Sequence, residues 1–108
     1  MPTVRIDGAK ITCRRSFHRV FADALGFPKF YGGNMDAWID CMRSLHHPGD
    51  GMTMIHASNT EPVTLYVDNA EAMPKDLRDE LFTCTNIVNA EYAAEGKAAA
   101  LVVVFSEK

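Results

Sequence analysis

Apolar and polar positions along this chain follow two rhythms, one of period two and one of period near 3.6. Over residues 3–7, Val4 and Ile6 stand between polar neighbours and Gly8 follows, the pattern of a short edge strand ending in a turn. From Ser16 the period lengthens: Phe17, Val20, Phe21, Ala24 and Leu25 form one apolar stripe of a helix that Ser16 can cap and that Gly26 and Pro28 stop. A second helix is predicted from Asn34, whose side chain can cap the free amides of Met35 to Ala37 after the Gly32-Gly33 pair lets the chain turn. Met35, Trp38, Ile39, Met42 and Leu45 share one arc of that helix at about 100° per residue, while Asp36, Asp40, Arg43 and Ser44 fall on the other.

Residues 46–61 hold Pro, Gly, Asn and Ser without a sustained period and read as a long surface loop. A strand resumes over 62–68, then a polar stretch with room for one helical turn before Met73. Pro74 suits a first helical position, and Leu77, Leu81, Cys84, Val88 and Tyr92 continue at helical spacing, so a helix or a broken helix pair ends near Gly96. The run AAALVVVF over 98–105 has the continuous apolar character of a strand covered on both faces. Strands joined by helical crossovers predict an α/β fold: a small, three-stranded, mainly parallel sheet packed with helices.

Length and composition fit that architecture. A chain of 108 residues, 47% apolar and 23% charged, is expected to form a single domain over 1–108, able to fold without metal or disulfide staples. Cys13, Cys41 and Cys84 are odd in number and lack a CxxC pair, which suits reduced thiols rather than a disulfide framework or a zinc site. The amino terminus lacks the apolar core of a signal peptide and no apolar run is long enough to span a bilayer, so a soluble cytoplasmic protein with no membrane partner is expected. Net charge is −3 but unevenly spread: residues 1–35 carry six basic and two acidic side chains, the remainder five basic and twelve acidic. The richest polar face is acidic, which suits a basic protein partner and argues against direct contact with nucleic acid.

The candidate chemistry lies on the second helix. Asp36 and Asp40, four residues apart, repel each other, and only Asp36, in the first turn, is well placed for the helix dipole, so Asp40 gains most from an external cation. The alternative is a solvated helix face with Asp40 weakly paired to Arg43. Phe30 and Tyr31 stand either as exposed anchors in a glycine-rich loop or as caps on the core, and Trp38 belongs to the apolar arc. His46, His47 and His56 share one loop, but no HxxxH or HExxH spacing lies on a helix, and neither common phosphate-binding glycine loop is present. Cys41, at the margin of the apolar arc, is a poor nucleophile. No catalytic residue, metal site or cofactor is therefore assigned.

The run Phe27-Pro28-Lys29-Phe30-Tyr31-Gly32-Gly33-Asn34-Met35-Asp36-Ala37-Trp38-Ile39-Asp40-Cys41-Met42 resembles the signature of the barstar family. The likeness extends through the opening strand with Gly8, the helix with Phe17 and His18, and Ala94-Glu95-Gly96 before the last strand, leaving out residues 43–61. The resemblance implies an α/β domain that inhibits a basic extracellular ribonuclease as a heterodimer by occluding its active site. It further implies contacts from Phe30, Tyr31, Gly32, Asn34, Met35, Asp36, Ile39 and Asp40, with Asp40 standing in for the RNA phosphate among the nuclease's arginines and catalytic histidine. The family's tryptophan falls one position early, at Trp38, with Ile39 in its place. Its later-helix glutamate aligns with Thr83, and Glu80 or Asp79 reaches that place only with a gap; Glu80 is the candidate. An immunity or antitoxin protein for another nuclease or toxin, using the same acidic face, is the alternative, and the loop at 46–61 could retarget it. An enzyme or a docking scaffold is a more distant one.

Overall fold

A computed structural model describes residues 2–29, 31–58 and 60–106, so the predicted contact at Phe30 lies outside the described residues. The elements run β1 (Thr3–Asp7), α1 (Arg14–Leu25), α2 (Met35–Met42), β2 (Val63–Asp68), α3 (Lys75–Ala94) and β3 (Leu101–Phe105), with single 3-10 turns at Gly8–Lys10, Pro48–Asp50 and Ala70–Ala72. The three strands are parallel in the order β1-β2-β3, with Val4 beside Leu65 and Leu65 beside Val103. Two successive right-handed crossovers in the same direction put their helices on one face of such a sheet. Val4, Ile6, Val63, Leu65, Val67 and Leu101 accordingly share a buried face, packed with Phe17, Phe21, Leu25, Trp38, Leu81 and Val88.

The other sheet face departs from expectation. Val102 and Val104 are 41% and 37% exposed, so β3 is an edge strand with one face open rather than a strand covered on both. Its apolar run misleads because the register aligns it with polar and aromatic neighbours there: Val102 lies beside Thr64, and Val104 beside Tyr66, itself beside Arg5. The central β2 is the strand shielded most completely, by its neighbours as much as by helices.

Helix ends also shift by a few residues. Cys13 stands at the N-cap of α1, and Ser16, expected as the cap, serves from inside the helix, where its Oγ accepts from the N–H groups of Thr12 (2.8 Å) and Cys13 (3.0 Å). Pro74 precedes α3, its carbonyl accepting from Leu77 and Arg78, and α3 runs unbroken for 20 residues. Leu77, Leu81, Cys84, Val88 and Tyr92 are all buried along it, as their spacing predicts. Ser44, placed on the polar arc, is buried because α2 ends at Met42 and the helical angle no longer applies; its hydroxyl donates to Asp50 (3.0 Å).

The 46–61 segment is anchored rather than free. Met54 N–H donates to the Leu25 carbonyl and Ala57 N–H to that of Leu45, both at 2.8 Å, and Thr53 and Ala57 are buried. Gly26, at φ +69, makes this possible: a Cβ there would lie 2.1 Å from Cγ of Met54. His46 and His56 are half-buried, His46 edge-on to Tyr92 and 3.1 Å from the Ala98 carbonyl, and His47 is exposed. Among the described residues, no helix is long and apolar enough to cross a membrane.

Candidate functional site

The site is built on α2 and the turn that leads into it. Gly33 takes φ +68, a conformation that a side chain resists, and brings Asn34 into extended geometry. Asn34 Oδ1 then accepts from the Ala37 N–H at 2.8 Å, as the sequence predicts, so α2 starts at a defined point. Its apolar side is held firmly: Trp38, Cys41 and Met42 are buried, with Trp38 edge-on to Phe21 at 5.8 Å, while Met35 and Ile39 are half-buried against the core. The indole Nε1 of Trp38 is buried without a hydrogen-bond partner. At the far end, the Tyr92 hydroxyl donates to the Arg43 carbonyl, closing the last turn.

This framework leaves Gly32, Asn34, Asp36 and Asp40 exposed together. Asp40 keeps 62% of its side chain in solvent although its Oδ1 meets Arg43 Nη1 at 2.8 Å. The same guanidinium grips Glu91 of α3 with two bonds of 2.8 Å, so one arginine serves two carboxylates on two helices. Those bonds raise the pKa of Arg43, and the bonds from Arg43 hold the Glu91 carboxyl below its usual range. The i,i+3 pairing could be foreseen; Glu91, 48 residues on, gave no local signal.

Glu80 is half-buried and pairs with Arg14 of α1 at 2.5 Å. It shares its surroundings with Asp36. Burial chiefly raises the Cys84 pKa, and the charges of Glu80 and then Asp36 raise it further. Thr83, the position that aligns directly with the family glutamate, is exposed one residue before that thiol. Asp79 is paired with Lys75 at 2.8 Å.

On the opposite flank of α2, a hollow of about 160 Å³ is lined by Pro28, Tyr31, Gly32, Ala37, Asp40, Cys41 and Met52. Tyr31 packs on the core: half-buried, its ring tilted against Phe27 at 4.8 Å, with its hydroxyl 2.5 Å from His18 Nδ1. Burial lifts the Tyr31 pKa well above its ordinary value and lowers that of His18, where Arg14 adds to the effect and Glu80 opposes it. The phenol and the imidazole thus share one hydrogen bond, with the donor set by the imidazole tautomer. Met52, which sequence reasoning passed over, comes from the 46–61 segment and completes the wall beside Asp40. A wider hollow of about 510 Å³ lies between β1 and α1 with mixed charges, away from these residues.

Burial, with Asp40 adding to it, pushes the Cys41 thiol up to about 11, far from a reactive thiolate. Among the described residues, no three His, Cys, Asp or Glu side chains are grouped to hold a metal ion. Fold and site together define a class: a small α/β domain that displays carboxylates on a firmly capped helix. The chain belongs to the barstar (barnase inhibitor) family, whose model matches residues 1–105. Comparison with curated proteins finds no match. Members of this family are inhibitors without enzymatic activity, and membership points to a barnase-type ribonuclease as the partner.

Proposed function

We propose that this chain acts as one domain in the cytoplasm, binding a basic ribonuclease one to one and blocking its active site with α2 and the turn before it. The observation that carries the reading is Asp40, an exposed carboxylate on a helix fixed by Asn34, Trp38 and Tyr92. A ribonuclease must hold a phosphate among cationic side chains, and a rigid carboxylate satisfies the same donors without an ester to cleave. Asp36 adds charge one turn away. Gly32 and Asn34 are exposed beside it, and the half-buried Tyr31, Met35 and Ile39 supply apolar contact. Phe30 would join them, as the family resemblance implies. Glu80 contributes at the margin, its charge shared with Arg14. The acidic face itself would repel RNA.

Met52 supports a second reading, in which the same face serves as immunity protein against another basic toxin. A side chain delivered by the 46–61 segment to the wall beside Asp40 would change which partner surface fits there.

Titration of the chain into a panel of basic ribonucleases, following RNA cleavage, tests the proposal. Stoichiometric inhibition, weakened by about 10²–10⁴-fold in Asp40→Ala, is expected, since leaving a buried charge without its partner costs about 3–5 kcal/mol. Inhibition of no panel member would overturn the ribonuclease assignment and favour another toxin.

A further inference from the structure

We propose that the outer edge of β3 is a self-association surface on which a second copy of this chain docks by antiparallel strand pairing, with the twofold axis at Val104. The pairing within the sheet shows which backbone groups are free. The Ala100 carbonyl accepts from Val63 and the Ser106 N–H donates to Val67, so the even-numbered residues of this stretch turn their backbone groups towards β2. Leu101, Val103 and Phe105 turn theirs outward. Leu101 is already closed off by Asn89 of α3, whose Oδ1 accepts from its N–H (3.2 Å) and whose Nδ2 donates to its carbonyl (2.8 Å). Among the described residues, nothing gives Val103 and Phe105 such a cover.

Two outward-facing residues, two positions apart, make an edge complementary to itself. About a twofold at Val104, each Val103 faces the second copy's Phe105, and the two exchange about four backbone hydrogen bonds in all. The strand LVVVF carries no charge, proline or bulge, the devices that usually keep an edge from pairing. Val102 and Val104 stay exposed on the open sheet face, and Phe105 (42% exposed) with Phe82 of α3 (60%) on the other side. These two rings line a groove of about 350 Å³ whose rim mixes charges: Lys75 and Arg78 against Asp79. The Nε of Arg78 is buried without a hydrogen-bond partner.

With Lys75 already paired to Asp79, the rim carries little net charge and opposes a second copy little. The acidic α2 face would instead repel itself. The exposed parts of the two phenylalanines and two valines come to roughly 300 Å² per copy. With the strand edge and the stems of Lys75 and Arg78, the contact reaches on the order of 1,000 Å² in total, the lower bound of a specific interface. The dimer is thus weak and concentration-dependent. It leaves α2 of both copies free, so two partners could be held at once.

Sedimentation of the full chain from about 1 μM to about 1 mM tests this, with amide exchange as a positional readout. The expected result is a shift from the 12.0 kDa monomer to a discrete dimer, accompanied by slowed exchange at Val103 and Phe105. Val104→Lys, which opposes two ammonium groups at the axis, should abolish the shift. So should Val103→Pro, whose missing N–H points out of the sheet and costs no internal bond. Both variants should keep the wild-type circular dichroism. A monomer throughout the range, a dimer that survives both substitutions, or unchanged exchange at Val103 and Phe105 would each overturn the proposal.

Discussion

Arg43 stands in the middle of the acidic face and tempers it. Because its guanidinium is shared between Asp40 and Glu91, a basic partner must compete with it for Asp40. Arg43→Gln should therefore raise the association rate with a basic ribonuclease by roughly two- to fivefold at low salt, read by stopped-flow fluorescence, while stability changes little because exposed ion pairs contribute about 0–1 kcal/mol. Trp38 invites a different test. Its ring is fully buried but its Nε1 is unpartnered, so Trp38→Ala should cost about 3–5 kcal/mol in urea unfolding, whereas Trp38→Phe should be nearly neutral, because it also removes an orphaned donor. The three thiols differ as their surroundings dictate. Hydrogen bonds from the backbone N–H and the side chain of Ser16 lower the pKa of exposed Cys13, and burial raises those of Cys41 and Cys84. Thiol labelling at pH 8 should modify Cys13 alone in the folded protein and all three in denaturant.

At the scale of elements, α2 is short, and eight residues do not make a stable helix alone. Its persistence rests on the cap before it and the packing behind it. Asn34→Ala should cost about 1 kcal/mol and weaken ribonuclease binding beyond that loss, since the turn carrying Gly32 would loosen together with the helix. The helix periods of α1, α2 and α3 were legible in the sequence because each buries one stripe, and the Asp36 and Asp40 face followed from the same arithmetic. The ends were less legible. Hydrogen-bonding options at Thr12, Cys13 and Ser16 lie within one turn of each other, and only the folded chain selects among them. The 46–61 segment had no period to read, since its order comes from backbone bonds to Leu25 and Leu45 and from the space that Gly26 leaves for Met54.

For the whole molecule, the buried His18–Tyr31 pair links pH to stability. Folding depresses the His18 pKa below 6.5, chiefly through burial, with Arg14 and Glu80 the charged groups that bear on it. The unfolded chain then binds a proton more readily, so stability is fully present above about pH 6.5 and falls as the pH drops below it. Thermal unfolding from pH 7.5 to 5 should show that loss, and His18→Gln should flatten it over this window; an equal slope in the variant would remove His18 as the cause. Below the ordinary glutamate range the Glu91–Arg43 pair adds its own loss in the same direction, because its folded carboxyl pKa is also depressed. Local repetition in the sequence sufficed for the three strands, the helical stripes between them, their order, and a pair of carboxylates on a helix capped by Asn34, though not for the α1 cap or the unbroken length of α3. Which strand lies in the centre, the open face of β3, the reach of Arg43 to Glu91 and the arrival of Met52 beside Asp40 came from the folded chain alone. Periodicity reports the environment along one element, whereas strand order, long-range ion pairs and loop anchorage depend on groups brought together from distant parts of the chain, and no local pattern encodes them.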